Sequence, residues 1–226
     1  MQQFNQIKTA FINTTPIFTG YLVLGIGMGL LLVVKGFNPL LAPFMAVTMY
    51  AGAMQYLAVD LLAAQLPLTT IALATLLVNA RHLFYGISLI EKYQKTGWRK
   101  IYLAFGLTDE TYSLIAGDNT YREKSYYFWV TILDHIYWIA GCSLGALAGT
   151  LLPSIPPGID FALTALFIAI FTEQWLCNTN HTNALIGLYA AGICLLIFGK
   201  NNFLIPTMLL IGSGLMALKH LEDRYR

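Results

Sequence analysis

Seven runs of about 17–25 mostly apolar residues follow one another along this chain, at 16–35, 39–62, 67–90, 126–151, 159–176, 183–199 and 203–219. Runs of that length cross the hydrocarbon of a bilayer as helices. Lipid offers no partner to a free peptide group, so each crossing must satisfy its own backbone hydrogen bonds. The expected fold class is therefore an all-α polytopic membrane protein. Composition agrees: of 226 residues, 57% are hydrophobic and only 11% charged, against about 25% charged in a soluble domain. No stretch is long or polar enough to form a soluble domain, so residues 1–226 are read as a single integral membrane transport domain. The first sixteen residues lack the pattern of a signal peptide and read as a short polar lead into the first helix. Cys142, Cys177 and Cys194 show no CxxC or metal-ligand spacing and read as small membrane hydrophobes.

An eighth run, 101–117, has membrane length, but Thr108, Asp109, Glu110 and Thr111 interrupt its centre. Charge placement decides how to treat it. If it spans, the lysines and arginines outside the spans divide evenly between the two sides. If it re-enters or breaks, Lys35, Lys92, Lys95, Arg99, Lys100, Arg122, Lys124, Lys219, Arg224 and Arg226 share one side, leaving only Lys8 and Lys200 on the other. The second arrangement gives about seven transmembrane helices plus one re-entrant or broken segment, with the N-terminus out and the C-terminus in. Gly106 and Gly117 suit a broken helix there.

A faint internal repeat accompanies this topology. Gly25-x-x-x-Gly29 precedes Met54-Gln55-Tyr56-Leu57, and Gly141-x-x-x-Gly145-x-x-x-Gly149 precedes Glu173-Gln174-Trp175-Leu176. Each half pairs a helix of small residues, suited to close packing, with one carrying Gln beside an aromatic residue. Three crossings separate the two starts, so the copies are inverted, an architecture of secondary transporters with a midplane site.

The run 67–90 carries the residue hardest to place in lipid. Glu91, Lys92 and Lys95 mark its watery end. At about 1.5 Å per residue, Arg81 lies roughly 15 Å from that boundary. A guanidinium there costs at least ~2.5 kcal/mol and cannot shed its proton, so it requires an anion or a wet cavity. Asn79 and His82 add further polar groups. This points to a translocation pathway with Arg81 on its wall. Asp109 and Glu110 answer Arg81 or carry a coupling proton, since desolvation favours the neutral form of a carboxylate. Asp134 and Glu173 are further proton-coupling candidates. Asp134 and His135 are neighbours on one helix and point apart, so at most one is expected to face the bundle interior. Gln55 and Gln174 complete the candidate substrate contacts. There is no phosphate-cradling loop, Walker lysine, metal-ligand cluster or nucleophile elbow. The reading is therefore no enzyme, no cofactor, no metal and no nucleic-acid partner, with energy drawn from an ion gradient or another chain.

Tyr50-Ala51-Gly52-Ala53-Met54-Gln55-Tyr56, Asn79-Ala80-Arg81-His82-Leu83-Phe84-Tyr85-Gly86 and Leu107-Thr108-Asp109-Glu110-Thr111-Tyr112, in that order, resemble the AzlC family. The likeness runs through most of the chain and is strongest over 16–117. That resemblance implies a bacterial inner-membrane subunit exporting branched-chain amino acids, with a small AzlD-like membrane protein as partner. The chemistry fits a zwitterion, with Arg81 for the carboxylate, Asp109 or Glu110 for the ammonium and apolar walls for the side chain. A transporter or channel for another small solute, and a non-transporting scaffold subunit, remain as rival readings.

Overall fold

A computed structural model describes residues 2–117, 123–152 and 181–224, with 161, 164, 165, 168, 171, 172, 175 and 176. Every regular element among the described residues is helical. The order is α1 (Gln2–Val34), α2 (Leu41–Thr48), α3 (Gly52–Ala63), α4 (Leu68–Asn79), α5 (Arg81–Ser88), α6 (Arg99–Phe105), α7 (Asp109–Gly117), α8 (Lys124–Leu151), α9 (Thr182–Asn202) and α10 (Leu204–Arg224). Four segments among the described residues are long and apolar enough to cross a membrane: Asn5–Val34, Leu68–Ser88, Lys124–Leu151 and Thr182–Gly199. Val23, Leu76, Phe84, Leu147 and Leu196 stand exposed on these spans, an outward apolar surface that suits lipid and not water.

The chain divides into two compact units, residues 1–66 with 78–163, and residues 67–77 with 164–226. The first is built around α8, against which α1, α2, α6 and α7 all pack. The α1–α8 contact explains the glycine pattern. A Cβ on Gly25 would stand 2.8 Å from the Cys142 backbone nitrogen, and Gly29 and Gly145 meet the opposite backbone more closely still. The small-residue helices of the two sequence halves are thus packed directly on one another. Tyr56 fastens α3 to the same pair by donating its hydroxyl to the Leu24 carbonyl at 2.6 Å.

Two breaks interrupt this unit. The run 101–117 ends one helix at Phe105 and starts another at Asp109. A side chain at Gly106 would collide with the Thr131 methyl, so the turn requires glycine. The run 39–62, read above as one helix, is two helices instead. Tyr50 between them takes φ +42°, an uncommon conformation for an aromatic residue. Its ring stacks on His135 with centroids 4.2 Å apart, and Gly52 abuts the Trp138 ring. Tertiary contact overrides local helix preference here, which no run length reveals. The supposed polar lead is also helical, because α1 already begins at Gln2.

In the second unit, α9 leaves helical geometry at Gly199 (φ +69°). Gly187 lies under Ile211 and Gly214 under Ile186, which sets α9 against α10. Leu77, Ile193, Phe198, Leu209 and Met216 line an open apolar cavity of about 740 Å³.

Candidate functional site

Arg81 begins α5 at the junction with α4, where the Leu83 N–H donates to the Ala80 carbonyl at 3.2 Å. It lies about 20 Å along the span from Leu68 and about 10 Å short of Ser88. Residues 81, 85 and 88 recur on one face of that helix, and α7 covers the face. Arg81 Nη1 lies 2.8 Å from Asp109 Oδ2. Tyr85 stacks on Tyr112 at 4.2 Å, and the Ser88 hydroxyl donates to Tyr112 Oη at 3.2 Å. His82 sits edge-on to Tyr85. Lys92 closes the far end of α7 by donating to the Ile115 and Ala116 carbonyls, the favoured place for a cation on a helix.

The Arg81–Asp109 contact is a half-used pair. Arg81 Nε and Asp109 Oδ1 are both shielded from solvent, and neither has a hydrogen-bond partner. One donor and one acceptor of the pair therefore have capacity to spare. The side chains as wholes remain 39% and 34% exposed, while these two atoms are covered, so a ligand reaches them only as neighbouring side chains shift.

Thr108 caps α7. Its Oγ1 accepts the Thr111 N–H at 3.3 Å, three residues on, as an N-cap threonine does. Asp109 and Glu110 occupy the first turn, where negative charge is favoured. From this cap a buried chain of oxygens runs to α8. Tyr21 of α1 donates to Glu110 Oε2 at 2.7 Å and lies 2.6 Å from Thr108 Oγ1. Thr108 donates to Thr111 Oγ1 at 3.1 Å, and Thr111 donates to Asp134 Oδ2 at 2.7 Å. Gln55 lies nearby on α3, fully buried, with its Oε1 accepting from Trp138 Nε1 at 2.7 Å and its Nε2 unpartnered. Trp138 in turn meets Tyr21 edge to face.

The expected site residues thus fall into two neighbouring groups about the first turn of α7. Arg81 and Asp109 form one; Glu110 and Asp134, linked through hydroxyls, form the other. Gln55 joins the second through Trp138 and Tyr21. Asn79 ends α4, half-buried, two residues before Arg81. Glu173 and Gln174 lie outside the described residues. One expectation is corrected: Asp134 and His135 are both buried. Asp134 turns to α7, while His135 reaches Tyr102 of α6 at 2.9 Å through Nδ1 and the Ala46 carbonyl of α2 at 3.1 Å through Nε2. Helix α8 is enclosed on more than one side, so adjacent side chains both find packed neighbours. Sequence reading takes Thr108 and Thr111 as part of the polar break in 101–117, not as site residues, and passes over Tyr21. The Thr-x-x-Thr cap spacing around two acids signals the two threonines; nothing in the pattern of α1 distinguishes Tyr21.

A sequence model of the AzlC protein family matches residues 16–152, a range that contains every member of both groups. The chain is 43% identical over 216 residues to the branched-chain amino acid transport protein AzlC of Bacillus subtilis (strain 168), covering 94% of this chain and 85% of that one. It is 40% identical over 215 residues to an uncharacterized membrane protein of Helicobacter pylori (strain ATCC 700392 / 26695), covering 94% of each. It is 30% identical over 217 residues to inner membrane protein YgaZ of Escherichia coli (strain K12), covering 88% of this chain and 83% of that protein. No solved structure matches.

Proposed function

The chain belongs to the AzlC family, a family of membrane transport proteins and not of enzymes, and on that premise we propose that it exports branched-chain amino acids across the bacterial inner membrane. The observation that carries the reading is the half-used Arg81–Asp109 pair. An amino acid is a zwitterion that needs a cation and an anion within a few ångströms of each other. Its carboxylate takes the free Arg81 Nε–H along with the Nη edge, in the two-pronged geometry guanidinium favours. Its ammonium takes Asp109 Oδ1. The aliphatic side chain lies against apolar residues of the first helices. The name of the Bacillus subtilis relative supports the same substrate class.

We read export as ion-coupled secondary transport, supported by the two carboxyls that hydroxyls join between α7 and α8. The working unit pairs this single transport domain with a small AzlD-like membrane protein. Buried Asp134 on α8 and half-buried Glu110 on α7 supply groups able to take and release a coupling proton.

The test is leucine counterflow in vesicles holding the purified chain, with and without the small partner. Labelled leucine should exchange, and valine and isoleucine should compete while glutamate and lysine do not. Absence of leucine exchange in both preparations overturns the substrate assignment. Exchange of an unrelated solute in its place supports the rival channel or transporter reading.

A further inference from the structure

Five oxygens on three helices and the α7 cap form the continuous line Glu110 Oε2, Tyr21 Oη, Thr108 Oγ1, Thr111 Oγ1, Asp134 Oδ2. Its four successive separations are 2.7, 2.6, 3.1 and 2.7 Å. Three of the contacts are short and the fourth, Thr108–Thr111, is long for two hydroxyls; four hydrogen bonds need four protons between their oxygens. The three hydroxyls supply three protons. With both carboxyls ionised, Tyr21 donates to Glu110, Thr108 to Thr111 and Thr111 to Asp134. The Tyr21–Thr108 contact, at 2.6 Å, is then left with lone pairs facing lone pairs. A fourth proton removes the conflict, and only the carboxyls can carry it.

We propose that Glu110 and Asp134 share one proton through Tyr21, Thr108 and Thr111, so that the line is a two-state proton relay between α7 and α8. With the proton on Glu110, that acid donates to Tyr21, Tyr21 to Thr108, Thr108 to Thr111 and Thr111 to ionised Asp134. Thr108 then accepts from Tyr21 and from the Thr111 N–H while donating once, which fills a hydroxyl's capacity. In the reverse state each proton has moved one place toward Asp134: Glu110 gives its proton to Tyr21, Tyr21 to Thr108, Thr108 to Thr111 and Thr111 to Asp134, so Glu110 ends ionised and neutral Asp134 donates back to Thr111. The two states share one oxygen skeleton and one total charge, and differ only in which end can exchange a proton next. Tyr21, Thr108, Thr111 and Asp134 are buried, which keeps water from supplying the missing donor. Asp134 Oδ1 is also without a partner, so ionised Asp134 is held by a single hydroxyl.

The charged and titratable groups around the line leave the proton count intact. Asp109, beside Glu110, is engaged with Arg81 of α5. Tyr50, between α2 and α3, faces Tyr21 and Asp134 and brings its own hydroxyl proton. His135 of α8 is committed to Tyr102 of α6 and to the Ala46 carbonyl. The relay rests on the transport reading for its use, since it supplies the group that couples proton movement to substrate. Its existence is tested apart from transport.

That test is infrared spectroscopy of the full chain in lipid nanodiscs at neutral pH without substrate, reading the carboxylic-acid C=O stretch that only a protonated acid gives. The parent should show the band, and so should Thr108→Ser, which keeps the hydroxyl. Glu110→Gln and Asp134→Asn should each lose it, because either amide supplies the fourth proton and leaves the opposite carboxylate ionised. Thr108→Val should lose it too, since the two remaining contacts, Tyr21–Glu110 and Thr111–Asp134, each have a hydroxyl proton of their own. Absence of the band from the parent overturns the relay, as does its survival in either amide variant or in Thr108→Val. Should the valine variant fail to fold, the amide pair and the serine variant decide the matter. Leucine counterflow measured on the same samples stands or falls separately: a missing band leaves the zwitterion site in place, and missing counterflow leaves the shared proton in place.

Discussion

Arg81 Nη1 lies 2.8 Å from Asp109 Oδ2, and this contact joins the α4–α5 junction to the first turn of α7. Both side chains are more than a third exposed, so solvent screening trims the contact's value to about 1 kcal/mol. Arg81→Ala should therefore leave a folded protein. Transport should be far more sensitive, because Arg81 is the one lysine or arginine in the sequence between Leu68 and Ser88. Arg81→Lys keeps the charge and loses the fork, so leucine counterflow should fall about tenfold or more, the equivalent of one charge-assisted hydrogen bond. Exchanging the two charges (Arg81→Asp with Asp109→Arg) should restore stability without restoring transport. Normal counterflow by Arg81→Ala would remove Arg81 from the pathway.

The α1–α8 interface makes a prediction with a control on the same helix. Gly29 faces the Cys142 and Ala146 backbone and Gly145 faces the Ile26 backbone, with no room for a Cβ; Gly20 has nothing within 4 Å. Gly29→Ala and Gly145→Ala should each cost about 1–3 kcal/mol, because backbone cannot give way as a flexible side chain does. Gly20→Ala should be neutral or stabilising by up to about 1 kcal/mol. Thermal melting of the three variants in one detergent decides it. Equal midpoints for Gly20→Ala and Gly29→Ala would mean that the two helices separate without cost.

How far the sequence discloses this molecule depends on whether a feature is local. Apolar length places α1, α8 and the α4–α5 span, because lipid imposes one rule on every residue of a crossing. Polar residues at the centre of 101–117 mark the break between α6 and α7, with Gly106 as its turn. The break at Tyr50 stays hidden: the residues around it are apolar, and the reason for it sits on α8, at His135 and Trp138. The site divides in the same way. Arg81, Asp109, Glu110 and Asp134 stand out as charges in apolar runs. Tyr21 belongs to the site only because α1 crosses α8 and brings its hydroxyl to Glu110. Gln55 is visible as a polar residue in an apolar run, but its partner Trp138 is 83 residues away.

The uneven distribution of lysine and arginine predicts which ends of the spans face the cytoplasm. In the seven-span arrangement Lys95 falls on the crowded basic side and Asn5 on the sparse one. In a protein freed of Cys142, Cys177 and Cys194, a cysteine replacing Asn5 should react with a membrane-impermeant thiol reagent in intact cells. A cysteine replacing Lys95 should react only after the inner face is opened. Labelling at position 95 from outside would reverse the arrangement and remove the basis for an inverted repeat.

Coupling is the last prediction. Uphill export needs a group that is neutral in one state of the transporter and charged in the other. A carboxylate held permanently against a cation cannot do this, which sets Asp109, paired with Arg81, apart from Glu110 and Asp134. The latter two are joined to each other only by hydroxyls, which can carry a proton in either direction. Glu110→Gln and Asp134→Asn each fix one end of the line in its proton-bearing form. Each variant should therefore still exchange labelled leucine across a vesicle membrane, since the Arg81–Asp109 pair is untouched. Neither should accumulate leucine when a pH gradient is imposed, because no proton can be released from an amide. Asp109→Asn should behave in the opposite way, losing exchange itself by withdrawing the anion that meets the substrate ammonium. The measurement is initial leucine accumulation with and without the gradient, normalised to exchange in the same vesicles. Parental gradient-driven accumulation in both Glu110→Gln and Asp134→Asn would exclude these acids as carriers and leave Glu173 as the next carboxylate to test.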